Sequence, residues 1–244
     1  MAASPRSWKI EPVVLADAEA VARNNVMAFW EDPSYTIVWK DIATLDHVIE
    51  RSIKRTRLDF LEEQDRQRYE KAVDPVTGEL VGYARWKFPI ALKTTAEGDP
   101  LWPERQMAAA SEEEYQRIKA IAESAGPTPK DIPMDDEVTV IKRRLQSQKS
   151  YMLLAYLAVH PENQNKGIAT MLVQSGIDQC KRMGMDIFVQ ASPAGRGIYE
   201  KLGFRVLDSH SEDLAQWGGE GNYTVHFMAY DQDRNGSAQA DATS

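Results

Sequence analysis

Eight consecutive apolar residues, Met152–Val159 (MLLAYLAV), end at His160-Pro161. In a strand successive side chains point to opposite faces, so a segment with no polar face must be covered on both sides. Eight residues are far short of the ~20 that a helix needs to cross a bilayer. This segment therefore predicts a central strand in a sheet with helices packed above and below it.

The flanking pattern agrees. From Gly167 to Met183 the residues Ile168, Leu172, Gly176, Cys180 and Met183 recur four, four, four and three apart, one stripe of a helix. Strand Asp186–Ala191 follows, then a short helix ending at Leu202, with Gly203 as its left-handed stop. Phe204–Ser209 and Asn222–Tyr230 read as two last strands. Upstream, one helix follows Asp17 and another follows Thr44, the second with Leu45, Val48, Ile49, Ser52, Ile53, Thr56 and Phe60 on one face and Asp46 in its first turn. Arg68–Val73 and Leu80–Pro89 form a hairpin around Pro75 and Gly78. The order α, α, hairpin, then β-α-β-α-β-β predicts an α/β fold with a mixed central sheet flanked by helices and one parallel crossover.

Residues 90–150 break the pattern and read as a helical insertion before the central strand. Pro100, Pro103, Pro127, Pro129 and Pro133 punctuate them. Ser111-Glu-Glu-Glu is a capping signature before Tyr115, Ile118, Ile121 and Ala122. Asp135-Asp-Glu opens a second helix through Val138, Ile141 and Leu145, with the basic run Lys142-Arg-Arg expected as its solvated C-terminal end. Residues 1–230 are expected to form one domain, and 231–244, with little to bury, a disordered tail.

Composition narrows the function classes. Of 244 residues, 29 are Lys or Arg and 37 Asp or Glu, a net charge of −8 that argues against a nucleic-acid partner. The single cysteine, Cys180, lies on the helix stripe and reads as core; it excludes intramolecular disulfides and Cys-based zinc clusters. His47, His160, His210 and His226 are too scattered to suggest a metal site, and no phosphate-binding G-x-x-x-x-G-K-[ST] loop is present. The opening MAASPRSWK has no apolar stretch of a secretory signal, so a cytoplasmic protein without a membrane partner is expected.

The junction after the central strand carries the chemistry. Gln164-Asn-Lys-Gly-Ile-Ala joins a strand to a helix, where free backbone N–H groups and the helix dipole accept a phosphate and a missing Cβ at Gly167 permits close approach. That spacing alone is weak, since many such junctions need glycine only for steric reasons. Val159-His-Pro, Gln164-Asn-Lys-Gly-Ile-Ala and Ser192-Pro-Ala-Gly-Arg-Gly-Ile-Tyr-Glu-Lys-Leu-Gly-Phe occur here in order. Together, over Leu153–Leu207, they resemble the acyl-CoA-binding core of the GNAT superfamily of N-acetyltransferases.

The resemblance implies an acetyl-CoA cosubstrate and direct transfer of the acetyl group to the primary amine of a small molecule. A protein lysine or N-terminus is an alternative acceptor, and a non-catalytic acyl-CoA-binding module an alternative of another class. It implies that Leu157, Ala158 and Val159 offer backbone groups to the acyl carbonyl and pantetheine arm. Gln164, Asn165, Lys166, Gly167, Ile168, Ala169 and Thr170 would wrap the pyrophosphate, and Tyr199 would be the general acid at the sulfur. Where the family often has asparagine, this chain has Ser192, a shorter candidate contact. The carboxylate that some members place on the central strand is missing, which leaves Tyr156, His160, Glu162, Glu212, Asp213 and His226 as conceivable bases. Trp86, Trp102 and Trp217 fit a substrate pocket or the core equally well.

Overall fold

A computed structural model describes residues 8–62, 64–89, 102, 107–130 and 134–232. Strands β1 (Lys9–Pro12), β2 (Gln67–Val73), β3 (Leu80–Lys87), β4 (Tyr151–Val159), β5 (Asp186–Ala191), β6 (Arg205–Asp213) and β7 (Asn222–Tyr230) form one sheet in the order β1-β2-β3-β4-β5-β7-β6. Only β4 and β5 pair in parallel; every other neighbouring pair is antiparallel. Helices α1 (Ala18–Phe29), α2 (Pro33–Thr36), α3 (Leu45–Leu61), α4 (Glu112–Glu123), α5 (Met134–Gln148), α6 (Ile168–Met183) and α7 (Pro193–Lys201) complete the described elements. This is the α/β fold with a mixed central sheet that the sequence pattern predicts.

The centre of the sheet is shaped by one extra residue. Arg85 faces Tyr156 and Trp86 faces Leu154, so Ala155 has no partner on β3. A bulge shifts side-chain parity. Leu154, before it, joins the core under α6, whereas Tyr156 and Ala158, after it, point to the opposite face, where Ala158 packs with Val13, Ala18 and Tyr83. On its other side β4 pairs with β5 only from Tyr151 to Leu154, opposite Asp186 to Val189. From Ala155 onward the two parallel strands part, and Tyr156 is 39% exposed. The run thus has a paired strand on both edges only up to the bulge.

Helices α6 and α7 close one face. Trp86, Met152, Leu172, Ile187, Tyr199 and Met228 belong to a single core there. A Cβ on Gly176 would lie 2.0 Å from Trp86 Cζ2, so this close helix-sheet contact requires glycine. Trp86 Nε1 donates to buried Glu70 (3.1 Å), whose second oxygen accepts from Ser175 on α6 (2.6 Å). Trp86 and Trp102 are both buried and about 6.3 Å apart, so they serve the core and not a substrate pocket. Helices α1, α3 and α5 cover the opposite face, α5 through Val138 and Leu145 against Tyr151, Phe188 and Phe227.

Several boundaries differ from expectation. Strand β1 and helix α2 were not expected; both are four residues long, and a four-residue edge strand containing Pro12 has no period to read. Strand β6 runs four residues past Ser209, because its pairing with β7 continues to Asp213 opposite Asn222. Helix α5 continues to Gln148, so Lys142-Arg-Arg lies mid-helix and not at its C-terminal end. Arg144 pairs with Asp208, while Lys142 turns inward. Of the expected tail, 233–244 lie outside the described residues; Asp231 pairs with Arg205, and the Gln232 amide donates to Asp186 (2.9 Å). The insertion's residues 90–101 and 103–106 also lie outside them. Among the described residues no helix is long and apolar enough to cross a membrane.

Candidate active site

The opening between β4 and β5 runs into the loop that the sequence singles out. Pro161–Asn163 form a single 3₁₀ turn, Asn165 and Gly167 take left-handed φ values of 59° and 81°, and α6 starts at Ile168. The first intrahelical bond runs from Met171 N to Gly167 O (3.0 Å). By helix geometry the amides of Gly167, Ile168, Ala169 and Thr170 therefore have no acceptor inside the helix. No atom lies within 4 Å of where a Gly167 Cβ would be, and this empty arc is where an anion could approach the amides. Gln164, Asn165, Lys166 and Thr170 are exposed, Ala169 is half-buried and Ile168 plugs the core, so Ile168 can offer only its backbone. A surface hollow of about 570 Å³ borders Gly167, Thr170 and Met171.

The loop is held from within. Lys166 Nζ donates to Glu162 O (2.7 Å) and Asn163 Oδ1 (2.9 Å), Trp8 Nε1 donates to Lys166 O (3.1 Å), and Gln164 Nε2 reaches Val159 O (3.4 Å). The Lys166 ammonium thus braces its own loop. Further back, Asn24 on α1 donates to Ala158 O (3.2 Å) while its own Oδ1 is buried without a partner. An orphaned acceptor beside the parted half of β4 is a place for a ligand N–H. With Leu157 and Val159 alongside, these residues fit an acyl-CoA whose pantetheine arm follows β4 and whose pyrophosphate caps α6.

Tyr199 projects from α7 into the α6-side core, its ring 5.4 Å from Phe204. The residue is only 5% exposed, and burial pushes its phenol far above the ordinary value, so it carries a proton at neutral pH. Its hydroxyl donates to no described residue. Ser192 occupies the N-cap of α7 without capping it and lies instead beside Tyr223. Tyr223 Oη donates to Asp32 (2.9 Å), which also accepts from Ser34 N and Ser34 Oγ, so β7, the start of α7 and α2 meet at the mouth of the opening.

The face of the sheet away from α6 carries groups that sequence reasoning did not single out. Arg85 on β3 lies over Tyr156 (4.4 Å to the ring centre) and near Tyr69 (5.9 Å), with Nη1 3.5 Å from Tyr69 Oη. Its Nε is sealed from solvent without a partner. Arg51, Arg55 and Asp59 follow at four-residue steps along α3, and Lys142 comes from α5. Burial raises the Asp59 carboxyl above its ordinary value, partly offset by Arg55, Arg85, Arg51 and Lys87. Burial, then Lys87 and Arg85, lower the Lys142 ammonium. Phe29 and Tyr35 wall the site beside Tyr156, and the Tyr35 phenol is pushed up to about 12, first by burial and then by Tyr156.

The other conceivable bases are otherwise engaged. His160 Nδ1 accepts from Glu162 N (3.4 Å), so the pair caps the turn. Asp213 accepts from Ala215 N (3.0 Å), and burial, then Arg196 on α7, lower the His226 imidazole, partly offset by Glu200, across the sheet from Tyr156. Glu137 on α5 meets His210 and Glu212 on β6, so that one ligand atom from each lies within 4.8 Å of the others. His210 Nε2 lies 2.8 Å from Glu212 and Nδ1 3.6 Å from Glu137. With a carboxylate at each ring nitrogen, the three side chains tie α5 to β6.

Comparison with known proteins agrees with this fold. A family model described as an acetyltransferase (GNAT) domain matches residues 135–214, from the start of α5 through the end of β6. The chain is similar in structure to a histone acetyltransferase HPA2 and related acetyltransferase from Corynebacterium glutamicum, with TM-score 0.55 and 18% identity over 91% of this chain and 95% of that one. It is also similar to mosquito arylalkylamine N-acetyltransferase like 5b (TM-score 0.49, 15% identity, 92% and 99% covered). A third similar structure is yncA, a putative acetyltransferase from Salmonella typhimurium with its cofactor acetyl-CoA (TM-score 0.46, 15% identity, 93% and 94% covered). No curated protein matches in sequence. The chain has the GNAT acetyltransferase fold.

Proposed function

We propose that this chain is a cytoplasmic, acetyl-CoA-dependent N-acetyltransferase that acts on the primary amine of a small molecule. One observation carries the reading: the bulge at Ala155 and the parting of β4 from β5 lead directly into the left-handed Gly167 turn that heads α6. A slot between strands that ends at free helix amides suits a long thiol ester with a pyrophosphate at one end.

The residues divide the work. Amides of Gly167–Thr170 hold the pyrophosphate, and backbone groups of Leu157–Val159 hold the arm and orient the acyl carbonyl. The amine enters from the face bearing Tyr156. A lysine-like ammonium has pKa near 10.4, so its deprotonation at pH 7 costs about 4.6 kcal/mol at 1.36 kcal/mol per unit. Asp59 supplies the proton acceptor on that face, since burial raises its proton affinity. The free amine attacks the carbonyl, the C–S bond breaks, and Tyr199, kept protonated by burial, delivers a proton to the departing sulfur.

The test is release of free CoA thiol from acetyl-CoA across polyamines, arylalkylamines, amino acids and peptides, with the acetylated amine identified by mass. Equimolar thiol and N-acetyl product with at least one amine is expected. Acetyl-CoA binding with no transfer to any of them would contradict the reading and favour a binding module.

A further inference from the structure

Positive charge gathers on the acceptor face. Arg55, Arg85, Lys87 and Lys142 come from α3, β3 and α5 to the surroundings of Asp59, with Arg51 nearby, its Nε donating to Pro127 O (2.7 Å). The whole chain has a net charge of −8, so this concentration runs against the protein's overall sign. Arg85 and Lys142 are half-buried, and a half-buried cation is stabilised where a ligand brings an opposite charge. Arg85 is the clearest case. Its guanidinium lies over the exposed Tyr156 ring, 4.4 Å from the ring centre, with Nη1 3.5 Å from Tyr69 Oη. A guanidinium fixed in this way is matched by a carboxylate or phosphate at its remaining N–H groups.

These cations are not placed for the CoA phosphates. The pyrophosphate loop leads into α6 on one face of the sheet, whereas Arg85 shares its face with Tyr156, on the other side of the bulge. Phe29 and Tyr35 beside Tyr156 add aromatic walls.

Resting on the N-acetyltransferase reading, we infer that the acceptor is an amine that also carries an oxyanion, a carboxylate or phosphate, bound by Arg85 and Lys142 on the face opposite α6. The rest of the acceptor spans from these cations to the mouth of the β4–β5 opening, so its amine and its acid are separated by a spacer that lies against the aromatic walls.

Matched pairs test this without requiring turnover. The binding of 4-(aminomethyl)benzoate and 4-(aminomethyl)benzamide, and of O-phosphoethanolamine and ethanolamine, is measured by calorimetry on the protein saturated with CoA. At least one acid is expected to bind its site ~10-fold or more tightly than its neutral twin. The winning pair tells carboxylate from phosphate. Arg85→Gln is expected to reduce the ratio below ~3, Arg85→Lys to retain part of it, and Lys142→Gln, on α5, to lower it without disturbing the Tyr156 stack. Neutral twins that bind as tightly as the acids, or a ratio that survives both Arg85→Gln and Lys142→Gln, would overturn the inference. Faster CoA release with neutral amines than with acids would also overturn it, and would leave N-acetyl transfer standing. Tight, Arg85-dependent binding of an acid without acetylated product would instead contradict the transferase reading alone.

Discussion

Replacing Gly167 with Asp separates ligand binding from folding, because the position is sterically open and conformationally special. With φ at 81° and nothing within 4 Å of the added Cβ, the change meets no neighbour. Its folding cost is the left-handed backbone alone, about 1–2 kcal/mol for an L residue, and a carboxylate at a helix N-terminus returns roughly 0.3–1 kcal/mol. The unliganded variant should therefore melt within about 7 °C of the parent, at about 2–4 °C per kcal/mol for a chain of this size. Ligand binding responds differently. Acetyl-CoA at 100 times its dissociation constant stabilises the parent by about 2.7 kcal/mol. A carboxylate about 4 Å from one phosphate charge costs about 4 kcal/mol at an effective dielectric constant of 20. That weakens binding roughly 700-fold, so at the same ligand concentration the stabilisation falls below about 0.1 kcal/mol. Scanning fluorimetry with and without acetyl-CoA reads both quantities, and Gly167→Ala controls for the backbone strain without the charge. An Asp variant whose acetyl-CoA shift equals the parent's would refute the placement of the pyrophosphate.

Three further outcomes follow from the geometry. Asp59→Asn should raise stability at pH 7. A carboxyl whose folded pKa is raised binds its proton more tightly in the folded state, so the parent loses stability as pH rises from the ordinary carboxylate value through the raised one, and the variant does not. Denaturant melts from pH 3 to 7 should show this slope vanish, while transfer slows by ~10² to 10⁴; equal slopes would contradict it. Cys180 is fully buried, and burial pushes its thiol up to about 12, so iodoacetamide should label it only at the rate of global unfolding. Fast labelling of native protein would show that α6 opens locally. Tyr199→Phe should lower kcat at least ~30-fold and move the acetyl-CoA dissociation constant less than ~3-fold, because the ring that packs on Phe204 is retained. An unchanged kcat, with chemistry limiting, would leave Tyr199 a core residue only.

The C-terminal half of the fold is legible in the sequence because each element there has its own period and its own stop. Strands β5 and β7 start and end where the pattern places them, and Gly184 and Gly203 end α6 and α7 in left-handed conformations. The bulge at Ala155 was not legible. A continuous apolar run looks the same in any register, and only pairing with β3 shows that parity changes there. The acceptor face was hidden for a related reason. Arg51, Arg55 and Asp59 look like ordinary solvent charges on a helix, and Lys142 looked like part of a helix end. Only the topology, which lays α3 and α5 over the same side of β3 and β4, brings them to Arg85. The Glu137–His210–Glu212 clasp joins Glu137 to two residues more than seventy positions further on, so its third member had no local signal. The cofactor loop was readable because one short segment supplies both its glycine and its helix start.

A crystal structure of the protein with acetyl-CoA tests the central claim most directly. The expected density places the pyrophosphate within hydrogen-bond distance of the Gly167 to Thr170 amides. The pantetheine arm should lie between β4 and β5 beside Leu157, and the thioester should open toward Tyr156 on one side and Tyr199 on the other. Acetyl-CoA bound anywhere else, or bound there with its sulfur out of reach of Tyr199 Oη, would contradict the account.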